Sequence, residues 1–196
     1  GHINMIPRIS VLGHMLIVAI LSYLFSLKIG SCRQRSINNY FTGLFHDLPE
    51  VLTRDIISPV KRSVEGLDEL IKSYEKEQME KEVYSLIPTE WHQDIKMFTE
   101  DEFSSIVTVE NTIIRTSSDE ISRTYNADQY RPRDGEVVRA IDELSAFVEA
   151  YISIKNGVKS KDLQEAMGSI HTRYRAKMLA GTDFSKVYAD FTDLLS

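Results

Sequence analysis

Phe45-His46-Asp47-Leu48-Pro49-Glu50-Val51-Leu52-Thr53-Arg54-Asp55 gathers one imidazole, three carboxylates and a helix break into eleven residues. Those are the materials of a metal-dependent hydrolase, because a neutral imidazole beside a carboxylate suits a borderline or hard divalent cation. The stretch also sets the local architecture. A helix capped at Ser36 and running through Phe45 delivers His46 and Asp47 at its C-terminal end. Asp47 caps the next short turn, Pro49 suits that turn's early positions, and Glu50 lies one turn beyond the metal pair.

Working outward, Val11 to Phe25 is almost wholly apolar, with Ser10 as its N-cap and Gly30 as its stop. It is shorter than the about 20 residues a membrane span needs and carries His14, so a central buried helix is expected rather than a membrane segment or signal. Ser58-Pro59 opens a long helical stretch from Val60 to Ile87, with Val64, Leu67, Leu70, Ile71 and Tyr74 on its apolar face. The charged run Glu75 to Glu82 within it reads as a solvated face. Pro88 ends that stretch, and Thr89 to Phe98 forms a shorter helix on which Trp91 is a partly buried packing residue.

The β-branched residues Ile106, Val107, Thr108, Val109, Ile113 and Ile114 fit either a small hairpin or an irregular helical segment, and Tyr125 to Pro132 reads as a loop. From Glu136 the helical spacing returns through Val137, Val138, Ile141, Leu144, Ser145 and Val148 and closes at Asn156-Gly157. Asp142 sits at the edge of that apolar face, a costly place for a carboxylate without a partner or an ion. Ser160 and Thr182 are the expected caps of two last helices.

The His46 to Lys61 run resembles the HD superfamily of metal-dependent phosphohydrolases, in its bacterial 5'-deoxynucleotidase branch. His46, Asp47, Glu50, Val51, Leu52, Thr53, Asp55, Pro59, Val60 and Lys61 stand at the positions of that branch's HD-x-x-E-V-L-T-x-D-x-x-x-P-V-K signature. Ser10-Val11-Leu12-Gly13-His14 is similar to the segment bearing the family's first metal histidine, and Arg139 to Ala146 to the helix bearing its last metal aspartate. The resemblance implies an all-α HD-domain helical bundle over residues 1–196, with an insertion at about 88–133 that is small and irregular or β around 103–133. It implies His14, His46, Asp47 and Asp142 as ligands of one divalent ion, with Mn, Co, Fe, Ni, Zn and Mg all compatible. It makes Glu50 and Asp55 the catalytic carboxylates, and Arg8 and Lys61 candidates for substrate contacts or surface ion pairs. His2, His92 and His171 match no position of the pattern.

Two departures bear on the site. Gly13 stands where an acidic residue often precedes the first histidine, which leaves His14 without that partner. Arg54 puts a bulky cation where relatives carry glycine. The segment between Asp47 and Asp142 is also longer than in compact relatives, which bears on the cover of the pocket and on substrate identity.

Composition bounds the partners. At 196 residues, 42% hydrophobic and 27% charged, the chain is long enough for one globular core. A net charge of -6 without a basic cluster argues against a nucleic acid polymer and leaves room for a small anion beside a metal. The single Cys32 has no internal disulfide partner, so a reducing cytoplasm is the expected compartment. The chain begins without Met and enters its first motif within ten residues, so a natural segment upstream of Gly1 is expected. The resemblance implies a homodimer, a small phosphorylated substrate such as a (deoxy)nucleoside 5'-monophosphate, and no membrane partner. A noncatalytic nucleotide-binding or signalling module on the same fold is the alternative. Alarmone hydrolysis is disfavoured, because Val51 follows Glu50 where that branch carries an acid.

Overall fold

The computed structural model describes residues 6–53 and 66–194. Their helices in chain order are α1 (Val11–Lys28), α2 (Arg33–Phe45), α3 (Leu48–Thr53), α4 (Leu67–Met79), α5 (Thr89–Thr99), α6 (Ser118–Glu120), α7 (Gly135–Lys155), α8 (Lys161–Tyr174) and α9 (Phe184–Leu194). Two-stranded antiparallel pairs join Ile106–Val109 (β1) to Thr112–Arg115 (β2), and Met178–Leu179 (β3) to Thr182–Asp183 (β4). The fold is therefore an all-α bundle with a small β insertion.

The long helix α7 is the spine of the core. Val137, Val138, Ile141, Leu144 and Phe147 on it pack with Val18 and Phe25 of α1, Tyr174 of α8, and Phe184 and Tyr188 of α9. Burying such side chains contributes about 1.5–3 kcal/mol each, which makes α7 the element around which the others are placed.

Helix α1 starts as expected, with the Ser10 hydroxyl accepting from the Gly13 amide at 3.0 Å, and ends before Gly30 at φ +67°. It is not centrally buried, however. Met15, Val18, Ala19, Ser22, Phe25 and Ser26 face the core, while Leu12, Leu16, Ile20, Leu24 and Leu27 are exposed. It is the one helix among the described residues long and apolar enough to cross a membrane, yet its polar Ser22 and Ser26 face inward.

Other expectations are corrected by tertiary context. Helix α2 begins at Arg33, not at Ser36, whose hydroxyl donates instead to Cys32 O at 3.1 Å inside the first turn. The expected helix start at Ser58-Pro59 and the apolar Val64 lie outside the described residues; from Leu67 the stretch runs through α4 and a π-helical turn, Glu80–Tyr84, and among the described residues of its expected apolar face Ile71 is buried while Leu70 and Tyr74 are exposed. Trp91 is exposed rather than packed. Thr182 belongs to β4, and the start of α9 is tied by Asp183, whose carboxylate accepts from the Ser185 amide at 3.0 Å.

The ambiguous 106–115 segment is a hairpin. Glu110 and Asn111, at φ +50° and +62°, form the two-residue turn, matching the twist that such tight hairpins require. Ile106 then exchanges two 2.9 Å backbone hydrogen bonds with Arg133, tying the hairpin to the entrance of α7. The buried Arg133 guanidinium donates to the carbonyls of Met97, Glu100, Asp101 and Ser104, closing the C-terminal end of α5. This fixes the 100–104 loop that walls the cavity described below.

A second buried cation joins α2 to α7. Arg35 and Asp134, both fully buried, form a direct ion pair. Asp134 also accepts from Ser118 and Ser105 at 2.8 and 3.1 Å and caps α7 through the Val137 amide at 3.2 Å. Asn39 of α2 completes the joint by accepting from the Asp134 amide at 2.8 Å. The helices carrying His46 and Asp142 are thereby locked together near their N-terminal ends.

Candidate metal centre

Helices α1, α2 and α7 each bring one donor to a common point. Potential ligand atoms of His14, His46 and Asp142 all lie within 4.8 Å of one another. Metal–nitrogen and metal–oxygen bonds of about 2.0–2.2 Å require donor separations near this scale, so a modest contraction suffices. The close approach of α1 and α2 depends on Gly43. A Cβ there would meet the Ala19 backbone at 3.0 Å, so a side chain three residues before His46 would push the two histidines apart.

Both imidazoles have their second nitrogen engaged. His46 Nδ1 donates to Gly43 O at 2.9 Å, which turns Nε2 toward the cluster. There Nε2 is buried without a hydrogen-bond partner among the described residues, although Asp47 Oδ2 and Asp142 Oδ1 stand 3.4 and 3.6 Å away. An orphaned buried ring nitrogen facing two carboxylates fits a cation between them. On His14, Nε2 lies 2.9 Å from Asp142 Oδ1 and Nδ1 lies 2.9 Å from Glu149 Oε1.

The electrostatics follow. Burial opposes a charge on His14, but hydrogen bonds and attraction from Asp142 and Glu149 prevail and raise it to about 10. Burial likewise opposes ionisation of Asp142, yet the hydrogen bond from His14 and the attraction of the His14 and His46 imidazoles hold its carboxyl well below the usual carboxylate range. Asp47 is pushed upward, first by burial and then by the neighbouring Asp142 and Glu50 carboxylates against the pull of His46. A divalent cation relieves this crowding of negative charge.

His46, Asp47 and Glu50 form part of the wall of a cavity of about 680 Å³. Among the basic groups at that wall, Lys72 and Lys76 sit one turn apart on α4, and Arg139 lies one turn before Asp142 on α7. Arg139 is held with its guanidinium 5.9 Å from the Phe103 ring centroid and its Nε 3.5 Å from Glu143. Glu102, on the adjoining loop, has its carboxyl raised by burial.

Placement of the expected residues is uneven. His14, His46 and Asp142 converge, Asp47 stands beside His46, and Glu50 faces the same cavity. Arg8 is exposed ahead of α1 and does not line the cavity. Asp55 and Lys61, together with Arg54, lie outside the described residues. The sequence reading missed Glu149 and the three cavity cations. Glu149 was legible only as a carboxylate seven residues after Asp142, two turns along the same helix face.

A family model described as an HD domain matches residues 2–171. The chain belongs to the HD-domain family. HD domains are in general metal-dependent hydrolases, and the His14, His46 and Asp142 group gives this HD domain a candidate metal centre. The curated proteins and the solved structures gave no match to this HD domain.

Proposed function

We propose that this HD domain is a phosphohydrolase that cleaves a small phosphomonoester, with a (deoxy)nucleoside 5'-monophosphate as the favoured substrate. The observation that carries the reading is the convergence of His14, His46 and Asp142 beside Asp47, with His46 and Asp47 in the wall of a cavity that Glu50 also lines. These four ligands would hold one divalent ion, drawn from Mn, Co, Fe, Ni, Zn or Mg. Such an ion, when bound, supplies Lewis acidity toward a phosphate oxygen and toward water.

The chain's own groups do the rest. Glu50, on the turn after Asp47, orients the attacking water and takes its proton. The water oxygen bonds to phosphorus as the ester P–O bond breaks, and the leaving ribose oxygen gains a proton. The family resemblance gives that last role to Asp55. Lys72, Lys76 and Arg139 are placed to offset phosphate charge on a wall otherwise rich in carboxylates, a task for which the fork of Arg139 is the best suited. A cavity of about 680 Å³ lies within the range of small-molecule sites, and the chain's net charge of -6 favours a small anion over a polymer.

Glu50→Gln tests the assignment because it preserves shape while removing the base. The expected result is loss of phosphate release with metal content retained. A protein that binds nucleotides but releases no phosphate, with or without the substitution, would instead be a noncatalytic binding module. Full activity in the Glu50→Gln variant would remove Glu50 from the chemistry.

A further inference from the structure

We infer that Glu149 is a positioning residue for His14: by accepting the Nδ1 hydrogen, it holds the imidazole in the tautomer that presents Nε2 to His46 and Asp142. The inference rests on the metal-centre reading and assigns a role to a residue outside the expected ligand set.

The argument starts from helix geometry. Asp142 and Glu149 are seven residues apart on α7, so they share a face and are separated by roughly 10 Å of rise. The His14 ring lies across that face. Asp142 Oδ1 sits 2.9 Å from one nitrogen and Glu149 Oε1 2.9 Å from the other. A carboxylate can only accept, so each ring nitrogen carries a hydrogen toward its carboxylate, and a cation shared with His46 and Asp142 would take the place of the Nε2 hydrogen while Glu149 keeps the one on Nδ1. The opposite nitrogen is then the one available to a cation.

His46 provides an internal comparison. Its Nδ1 also donates, there to the Gly43 carbonyl at 2.9 Å, and its Nε2 also points into the cluster. Two histidines on different helices thus use the same nitrogen for orientation and aim the same nitrogen at one point. On α1 the chain has Gly13 beside His14, so no side chain from that neighbour can take the orienting role. Glu149 supplies it from across the bundle, and its own burial is offset by the pairing.

The test uses the full chain, ¹⁵N-labelled and saturated with Zn²⁺, and reads the histidine ring nitrogens by long-range proton–nitrogen correlation. The wild type is expected to show His14 with Nδ1 protonated and Nε2 bound. Glu149→Met, of similar bulk but with no acceptor, is expected to lose that pattern and to weaken Zn²⁺ and Mn²⁺ binding by about 10- to 100-fold in calorimetric titration. Glu149→Gln, whose amide oxygen still accepts, is expected to keep the pattern and most of the affinity. A merely structural ion pair predicts lowered thermal stability in Glu149→Met with unchanged ring protonation and metal affinity, and that result overturns the inference. A wild-type protein with His14 Nδ1 unprotonated in the Zn²⁺ complex overturns it without any variant. A folded wild type that takes up neither ion overturns the metal reading itself.

Discussion

Removing the Asp134 carboxylate is expected to be among the most damaging single changes in the molecule. The group is fully buried, pairs with the equally buried Arg35, accepts from two serine hydroxyls and caps α7. In Asp134→Ala the Arg35 guanidinium stays buried without its counter-charge. Breaking a buried pair in this way costs about 3–5 kcal/mol, and losing the cap adds about 1 kcal/mol. For a chain of this length each kcal/mol lowers Tm by about 2–4 °C, so a fall of roughly 8–24 °C is expected. Urea-induced unfolding followed by far-UV circular dichroism gives the free energy, and a thermal scan gives Tm. The cause can be isolated with Arg35→Met and the double variant. If the stranded charge dominates, the double variant is more stable than Asp134→Ala alone. The reasoning would be refuted by a loss below about 1 kcal/mol in Asp134→Ala, or by strictly additive single effects. The joint also fixes α2 against α7, so metal affinity is expected to fall in Asp134→Ala even below its unfolding temperature.

Three further outcomes follow from the packing. Gly135→Ala places a Cβ 2.4–2.5 Å from the backbone of Phe103 and Ser104, so a destabilisation of about 1–3 kcal/mol is expected in urea titration, and a neutral effect would show that the 103–104 loop yields freely. The Tyr188 hydroxyl is buried without a hydrogen-bond partner among the described residues, so Tyr188→Phe is expected to change stability by less than about 0.5 kcal/mol or to raise it, and a clear loss would reveal a hidden partner. Burial pushes the phenols of Tyr174 and Tyr188 upward from 10.0, and the Glu143 carboxylate adds to the shift of both. The folded state therefore retains protons that the unfolded state releases. Its contribution is complete below pH 10 and is lost as pH rises beyond it, so urea midpoints are expected to fall steeply above that pH, and a flat profile would contradict the burial argument.

What the sequence made legible was mostly local. The caps at Ser10 and Ser160 act within one turn, through Gly13 N and Leu163 N, and both were readable from residue type. The motif stretch around His46 and the two flanking segments, read by resemblance, identified the three donors that converge. Features decided across the bundle were not readable. Ser36 looks like a cap, but its hydroxyl serves an internal turn of a helix whose start is fixed by contacts with Asn126 and Asp128, which accept from the Cys32 and Gln34 amides. Helix α1 reads as buried on all sides because its composition is apolar throughout, and only the packing of one face on α2 and α7 separates the two sides. Glu149 and Arg139 carry no local signal, since their significance comes from lying on the same helix as Asp142.

Metal dependence is the central claim, and phosphate release tests it most directly. Metal-stripped protein would be resupplied separately with Mn, Co, Ni, Zn or Mg and offered a panel of ribo- and deoxyribonucleoside monophosphates. The account predicts release only after an ion is restored, and loss of both bound metal and release in Asp142→Asn, which removes the carboxylate shared by the two histidines. Folded protein that binds none of these ions, or Asp142→Asn that keeps wild-type metal content and turnover, would contradict it.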